Sequence, residues 1–174
     1  MDDRPVVELQ IGRTARSPVN VRSRCHLGLP VVIDVPPLLD DGTPFPTTHW
    51  LTCPLAQLRI SRIESSGGVQ KADADLLIDS ALAAEFAETN RRYATDRDSL
   101  IPGDWTGAKP SGGVAGSRGG VKCLHAQYAD TAAGNQNPIG ERVAAEIEPL
   151  DCSVGCVIGL GSDVVMNESW TEPV

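Results

Sequence analysis

Along the chain the spacing of apolar and polar positions changes several times, and each change predicts an element. Residues 5–11 alternate weakly, which suits an edge strand. Residues 29–35 read Leu-Pro-Val-Val-Ile-Asp-Val, a β-branched run closed by Pro36-Pro37 and opened by Gly28, as expected of a mostly buried strand. The turn formers of residues 40–46 separate it from a second strand over 47–52, giving a hairpin-like pair.

Beyond this point the period becomes helical. Cys53-Pro54 opens an amphipathic helix, because Pro suits the first helical position and Leu55, Leu58 and Ile63 recur near helical spacing; Gly67-Gly68 ends it. A long helix is predicted over 72–100, with Leu76, Leu77, Ala81, Ala84 and Tyr93 buried and Glu85, Glu88, Arg91, Arg92 and Asp96 solvated. Residues 102–120 turn to Gly, Pro, Ser and Ala and read as a mobile loop or lid. Helices over 121–133 and 139–148 follow, with a turn at 134–138. The pattern predicts one α+β domain over residues 1–158: a small N-terminal sheet of two or three strands packed with about four helices, and a loosely ordered tail over 159–174.

Composition narrows the function classes. With 174 residues the chain is long enough for a core without disulfide staples. Its formal net charge of −8 and 4% aromatic content leave neither a phosphate-binding field nor a base-stacking surface, so nucleic acid is not an expected partner. Arg13, Arg16, Arg22 and Arg24 form the most basic stretch, read as a solvated N-terminal segment or a place to hold an anion. No apolar run approaches the roughly 20 residues of a membrane span, and the Met-Asp-Asp-Arg opening is unlike a signal segment, so no membrane partner and a cytoplasmic location are expected.

A reducing compartment changes the meaning of five cysteines, which then serve as metal ligands, reactive thiols or small core residues. Cys53 and Cys123 stand at predicted helix starts, where the dipole favours the thiolate, and His125 follows Cys123 by two residues. Cys25, Cys53, Cys123 and His125 would supply a Cys₃His set for zinc. Four of the five cysteines, with Cys152 and Cys156 as a C-x-x-x-C pair, would equally suit an iron–sulfur cluster. Neither spacing is specific, and buried free cysteines are common in cores. His26 reads as an alternative ligand or a surface imidazole, and His49 as a half-exposed strand residue. The chain has no G-x-S-x-G, and its glycine-rich loop lacks both the Walker ending and a dinucleotide fingerprint.

Several strings carry a resemblance. Arg24-Cys25 with Gly28-Leu29-Pro30, residues 41–47 running into Trp50-Leu51-Thr52-Cys53-Pro54, Val121-Lys122-Cys123-Leu124-His125-Ala126 and Asn137-Pro138-Ile139-Gly140 are similar, in consistent order over residues 9–148, to the bacterial family known as domain of unknown function 501. The resemblance implies a small cytosolic protein, encoded in many genomes beside a septum protein and an exopolyphosphatase. It also implies that His can replace Cys at the Cys53 position, an exchange that suits zinc. The sequence departs from the family at His26, where Pro is common, and in its tail.

Three functions follow as expectations. The first is a zinc protein using Cys25, Cys53, Cys123 and His125, with Cys152 and Cys156 available for an iron–sulfur variant. The second is an enzyme with Cys123 as nucleophile and His125 or His49 as base. The third is a metal-free interaction module with a protein partner in cell division or phosphate metabolism.

Overall fold

A computed structural model describes residues 3–160 and 163–173, with the backbone alone at Leu160. The fold is α+β, with six α-helices, a three-stranded sheet and a separate hairpin among the described residues.

The first element is a helix, α1 (Arg4–Ile11), where the weak alternation predicts a strand. Val7 and Gln10 are its buried positions and Ile11 packs beside Val7, a spacing of three and four, so helical periodicity won over alternation. Pro5 is tolerated in the first turn and Gly12, in the left-handed region, ends the helix.

The sheet has the order β1 (Asn20–Arg24), β2 (Pro30–Asp34), β3 (His49–Leu51), all antiparallel. Val21 faces Ile33 across the first pair, and Val32 faces Leu51 across the second. β2 is central and covered on both faces, which accounts for its unbroken apolar run. β1 is an edge strand the basic composition concealed: half-buried Val21 and Ser23 alternate with exposed Asn20, Arg22 and Arg24.

One face of the sheet meets the main core, built from α2 (Pro54–Ser65), α5 (Leu124–Ala132) and α6 (Pro138–Ile147), in which Leu55, Ile60, Leu124, Tyr128 and Ile139 are almost wholly buried. The other face meets α1 through Val7, Ile33, Val35 and Leu39, with Trp50 beside them.

The single helix expected over 72–100 is two, α3 (Gly68–Ile78) and α4 (Ser80–Ser99). Asp79 is extended and its side chain accepts from the amides of Ala81 and Leu82, which starts a new helix in mid-pattern. Leu77 is 88% exposed, contrary to the buried face assigned to it, whereas Leu82, Phe86 and Tyr93 are buried.

The glycine-rich stretch loops, as its composition predicts, and is tied to α4. The Val114 amide donates to Asn90, the buried Arg97 guanidinium donates to the Gly112 carbonyl, and Val114 is fully buried within a short 3₁₀ turn. After α6 the chain forms a hairpin, β4 (Val157–Leu160) and β5 (Asp163–Met166), packed near α1. Residues 159–160 and 163–166 thus form strands where a loose tail is expected; residues 161, 162 and 174 of that expectation lie outside the described residues. Trp170 packs on the main core, and Glu172 pairs with Arg59 and Arg62 of α2. Among the described residues no helix is long and apolar enough to cross a membrane.

Candidate metal centre

The C-terminal turn of α2 and the start of α5 meet because Gly68 leaves room for them. A Cβ there would stand 2.5 Å from Ile63 Cγ2 and 3.0 Å from Leu124 Cδ1. Glu64, on the last turn of α2, therefore reaches the free amides of α5, and its Oε1 accepts from the Leu124 amide at 2.6 Å. That fixes one carboxylate oxygen at the positive end of the helix.

The second oxygen, Oε2, lies 3.3 Å from Nδ1 of His125. On the other side of the ring, Nε2 is 3.2 Å from the Gln57 carbonyl and 3.3 Å from the Ser61 hydroxyl. A carbonyl only accepts, so Nε2 carries the proton. In the neutral imidazole the Nδ1 lone pair then faces Glu64. Cys123 completes the group: its sulfur, a His125 nitrogen and a Glu64 oxygen all lie within 4.8 Å of one another.

Burial alone would lower the His125 pKa, but Cys123, the Glu64 charge and the Gln57 carbonyl outweigh it and hold the imidazole above its ordinary value, which favours a second proton at Nδ1, between the ring and Glu64. The backbone that presents Cys123 is also unusual. Lys122 has φ 62°, a left-handed conformation that costs a non-glycine residue about 1 kcal/mol or more. It is held by the Val121 amide donating to Asp73 and by Lys122 Nζ donating to the Ala115 carbonyl. Cys123 and His125 line a cavity of about 280 Å³ with Thr47, Trp50 and Gln57.

The ligand set expected for zinc is divided by the fold. Cys123 and His125 are together, but Cys25 and Cys53 line a different cavity, which they share with Cys152 and Cys156. The expectation of a helix-activated thiolate also fails at Cys53: burial pushes its thiol up to about 11, more than the Leu55 and Ala56 amides lower it.

Sequence reasoning missed Glu64, because a single acidic residue on a helix, 59 positions from Cys123, has no local signature. His49 is half-buried in strand β3, as expected, and its ring joins a polar group, with Nδ1 3.0 Å from Asp34 and Nε2 3.1 Å from the Asn135 amide nitrogen. Behind it the fully buried Asp130 accepts from Arg92, Asn135 and Asn137. His125, whose nitrogen lies within 4.8 Å of the Cys123 sulfur, is the stronger candidate base for Cys123.

The fold and this group of side chains define a small α+β protein with a thiol, an imidazole and a carboxylate gathered at one helix start. The family model described as a protein of unknown function, DUF501, matches residues 21–145, well over half of the chain, and the chain belongs to that family. No curated protein and no solved structure matches it.

Proposed function

We propose that the chain is a metal-binding protein holding a divalent ion of the zinc class with Cys123, His125 and Glu64, the remaining coordination position facing the 280 Å³ cavity. One observation carries this reading. With Nε2 donating to the Gln57 carbonyl, Nδ1 and a Glu64 oxygen face each other 3.3 Å apart with Cys123 beside them, a gap that a proton fills in the metal-free protein and that a metal ion fills on displacing it. Ligating histidines characteristically donate their other ring nitrogen to a carbonyl or carboxylate. Thiolate, imidazole and carboxylate are the donors zinc takes, and three protein ligands with an open position are the pattern of catalytic rather than structural zinc.

The test is metal content. Replacing Glu64 and His125 together (E64A/H125A) should lower the zinc bound to anaerobically purified protein by one equivalent per chain. Unchanged content overturns the reading.

A second reading rests on the closeness of Cys123 to His125, their sulfur and a ring nitrogen within 4.8 Å, which in the metal-free protein would pair a thiolate with an imidazolium and make Cys123 a nucleophile. Iodoacetamide separates the two. A metal-bound thiolate alkylates slowly until a chelator is added, whereas a free nucleophile alkylates fast at neutral pH with or without chelator.

A further inference from the structure

A second cluster of thiols stands apart from this centre. Cys25, Cys53, Cys152 and Cys156 come from three separate stretches of chain and line one cavity of about 10 Å³, room for a single water or ion. Cys25 lies in the turn joining β1 to β2, where the Gly28 amide donates back to the Cys25 carbonyl and Gly28 takes the left-handed conformation that closes the turn. Cys53 caps the start of α2. Cys152 and Cys156 bracket the short turn between α6 and the C-terminal hairpin.

The surroundings are those of sulfur acting as an acceptor. The Trp170 indole donates to Cys152 Sγ at 3.3 Å, and the Gln10 carboxamide donates to Cys156 Sγ at 3.6 Å. N–H donors directed at sulfur suit a metal-bound thiolate, which keeps lone pairs to accept them. Gln10 is 8% exposed, and its Oε1, on the same cavity wall, has no hydrogen-bond partner among the described residues. Four thiolates lining one small cavity would repel one another. A divalent cation removes that repulsion.

We infer that Cys25, Cys53, Cys152 and Cys156 form a second, structural metal site that takes one zinc-class ion in a closed Cys₄ shell and fastens the C-terminal segment to the sheet and α2. The four thiol protons go to solvent on binding. No three of the sulfurs yet lie within 4.8 Å of one another. Closure to the edge of about 4 Å set by Zn–S bonds near 2.3 Å falls to Cys25 and Cys152, which are only partly buried and sit on turns. Cys152 and Cys156 lie beyond the residues matched by the family model, so the ion would join the family's core to this chain's own C-terminal segment.

The site is independent of the one at Cys123, and the experiment keeps them apart. E64A/H125A protein, purified without oxygen, should retain one zinc per chain, and X-ray absorption at the zinc edge should show sulfur alone near 2.3 Å. Adding C25S/C152S, the two less buried positions, should remove that zinc and increase alkylation of Cys53. Chelation of E64A/H125A protein should expose the chain beyond residue 150 to limited proteolysis, a readout that does not depend on any cysteine variant folding. Metal-free E64A/H125A protein, a nitrogen or oxygen ligand in its zinc shell, iron with sulfide, or full zinc in the C25S/C152S combination would each overturn the inference. If the Cys123 centre binds nothing, wild-type and E64A/H125A protein will hold the same single all-sulfur zinc, which sinks that reading and sustains this one.

Discussion

Asn137 is fully buried and uses both ends of its amide. Its oxygen accepts from the Gly140 amide at 2.9 Å and caps α6, while its nitrogen donates to Gln127 at 2.8 Å and Asp130 at 3.1 Å. Asn137→Ala loses the cap, about 0.5–2 kcal/mol, and leaves buried acceptors short of a donor, about 1–3 kcal/mol. The variant should lose about 2–4 kcal/mol in urea unfolding, and a loss under about 1 kcal/mol contradicts this account. Gly140 faces the opposite constraint, since a Cβ would come within 2.2 Å of both the Gln127 carbonyl oxygen and Thr131 Oγ1. Leu77, by contrast, is exposed, and Leu77→Ser should change stability by no more than about 0.5 kcal/mol. Asn137 was read as part of a turn over 134–138; its capping of α6 and its links to Gln127 and Asp130 depend on how α5 lies against α6.

Two elements hang on single carboxylates. Asp79 divides what periodicity reads as one helix, so Asp79→Ala should cost about 0.5–2 kcal/mol, read from thermal or urea unfolding, with helix content nearly unchanged. Glu172 fastens the C-terminal segment to α2. Its hydrogen bond to Arg62, opposed by slight desolvation and aided by the charges of Arg62 and Arg59, holds its carboxyl below the ordinary value of 4.5. A lowered pKa in the folded state means the contribution is present above the ordinary value and is lost as pH falls through the lowered one. Fluorescence of the nearby Trp170 should therefore change on acidification only below about pH 4.5, and that step should be absent from Glu172→Gln. A step at the same pH in the variant would assign it to other carboxylates.

At the scale of the whole molecule, metal is expected to act as a fastener between segments far apart in sequence. If both centres fill, a chelator should lower the unfolding midpoint by roughly 5–15 °C, taking about 2–4 °C per kcal/mol for a chain of this size. Added zinc should restore it. An unchanged midpoint would mean the thiols serve the fold only as small buried side chains. The net charge of −8 predicts, in the same spirit, no retardation of duplex DNA at physiological salt. Retardation that weakens steeply with salt would expose a basic surface that the overall charge conceals.

Strand β2, helix α2 and the two C-terminal helices were legible in the sequence because each is specified locally, by a β-branched run, a Pro-led amphipathic turn or the turn over 134–138 that separates two helical stretches. The α+β class follows from those few elements and their order. Other features were settled by packing between distant segments. The segment that became α1 has a pattern too short to choose between periods, and burial of Val7 against Ile33 chose for it. The grouping of the cysteines was likewise invisible. Cys25 and Cys123 both sit at element boundaries, and only the lie of α5 across the sheet sends Cys123 to Glu64 while the C-terminal turn brings Cys152 and Cys156 to Cys25 and Cys53. Sequence determines which residues can bind a metal, because donor chemistry is a property of the side chain; tertiary structure decides which of them meet, because ligation requires several donors within a few ångströms and sequence separation carries no information about that distance.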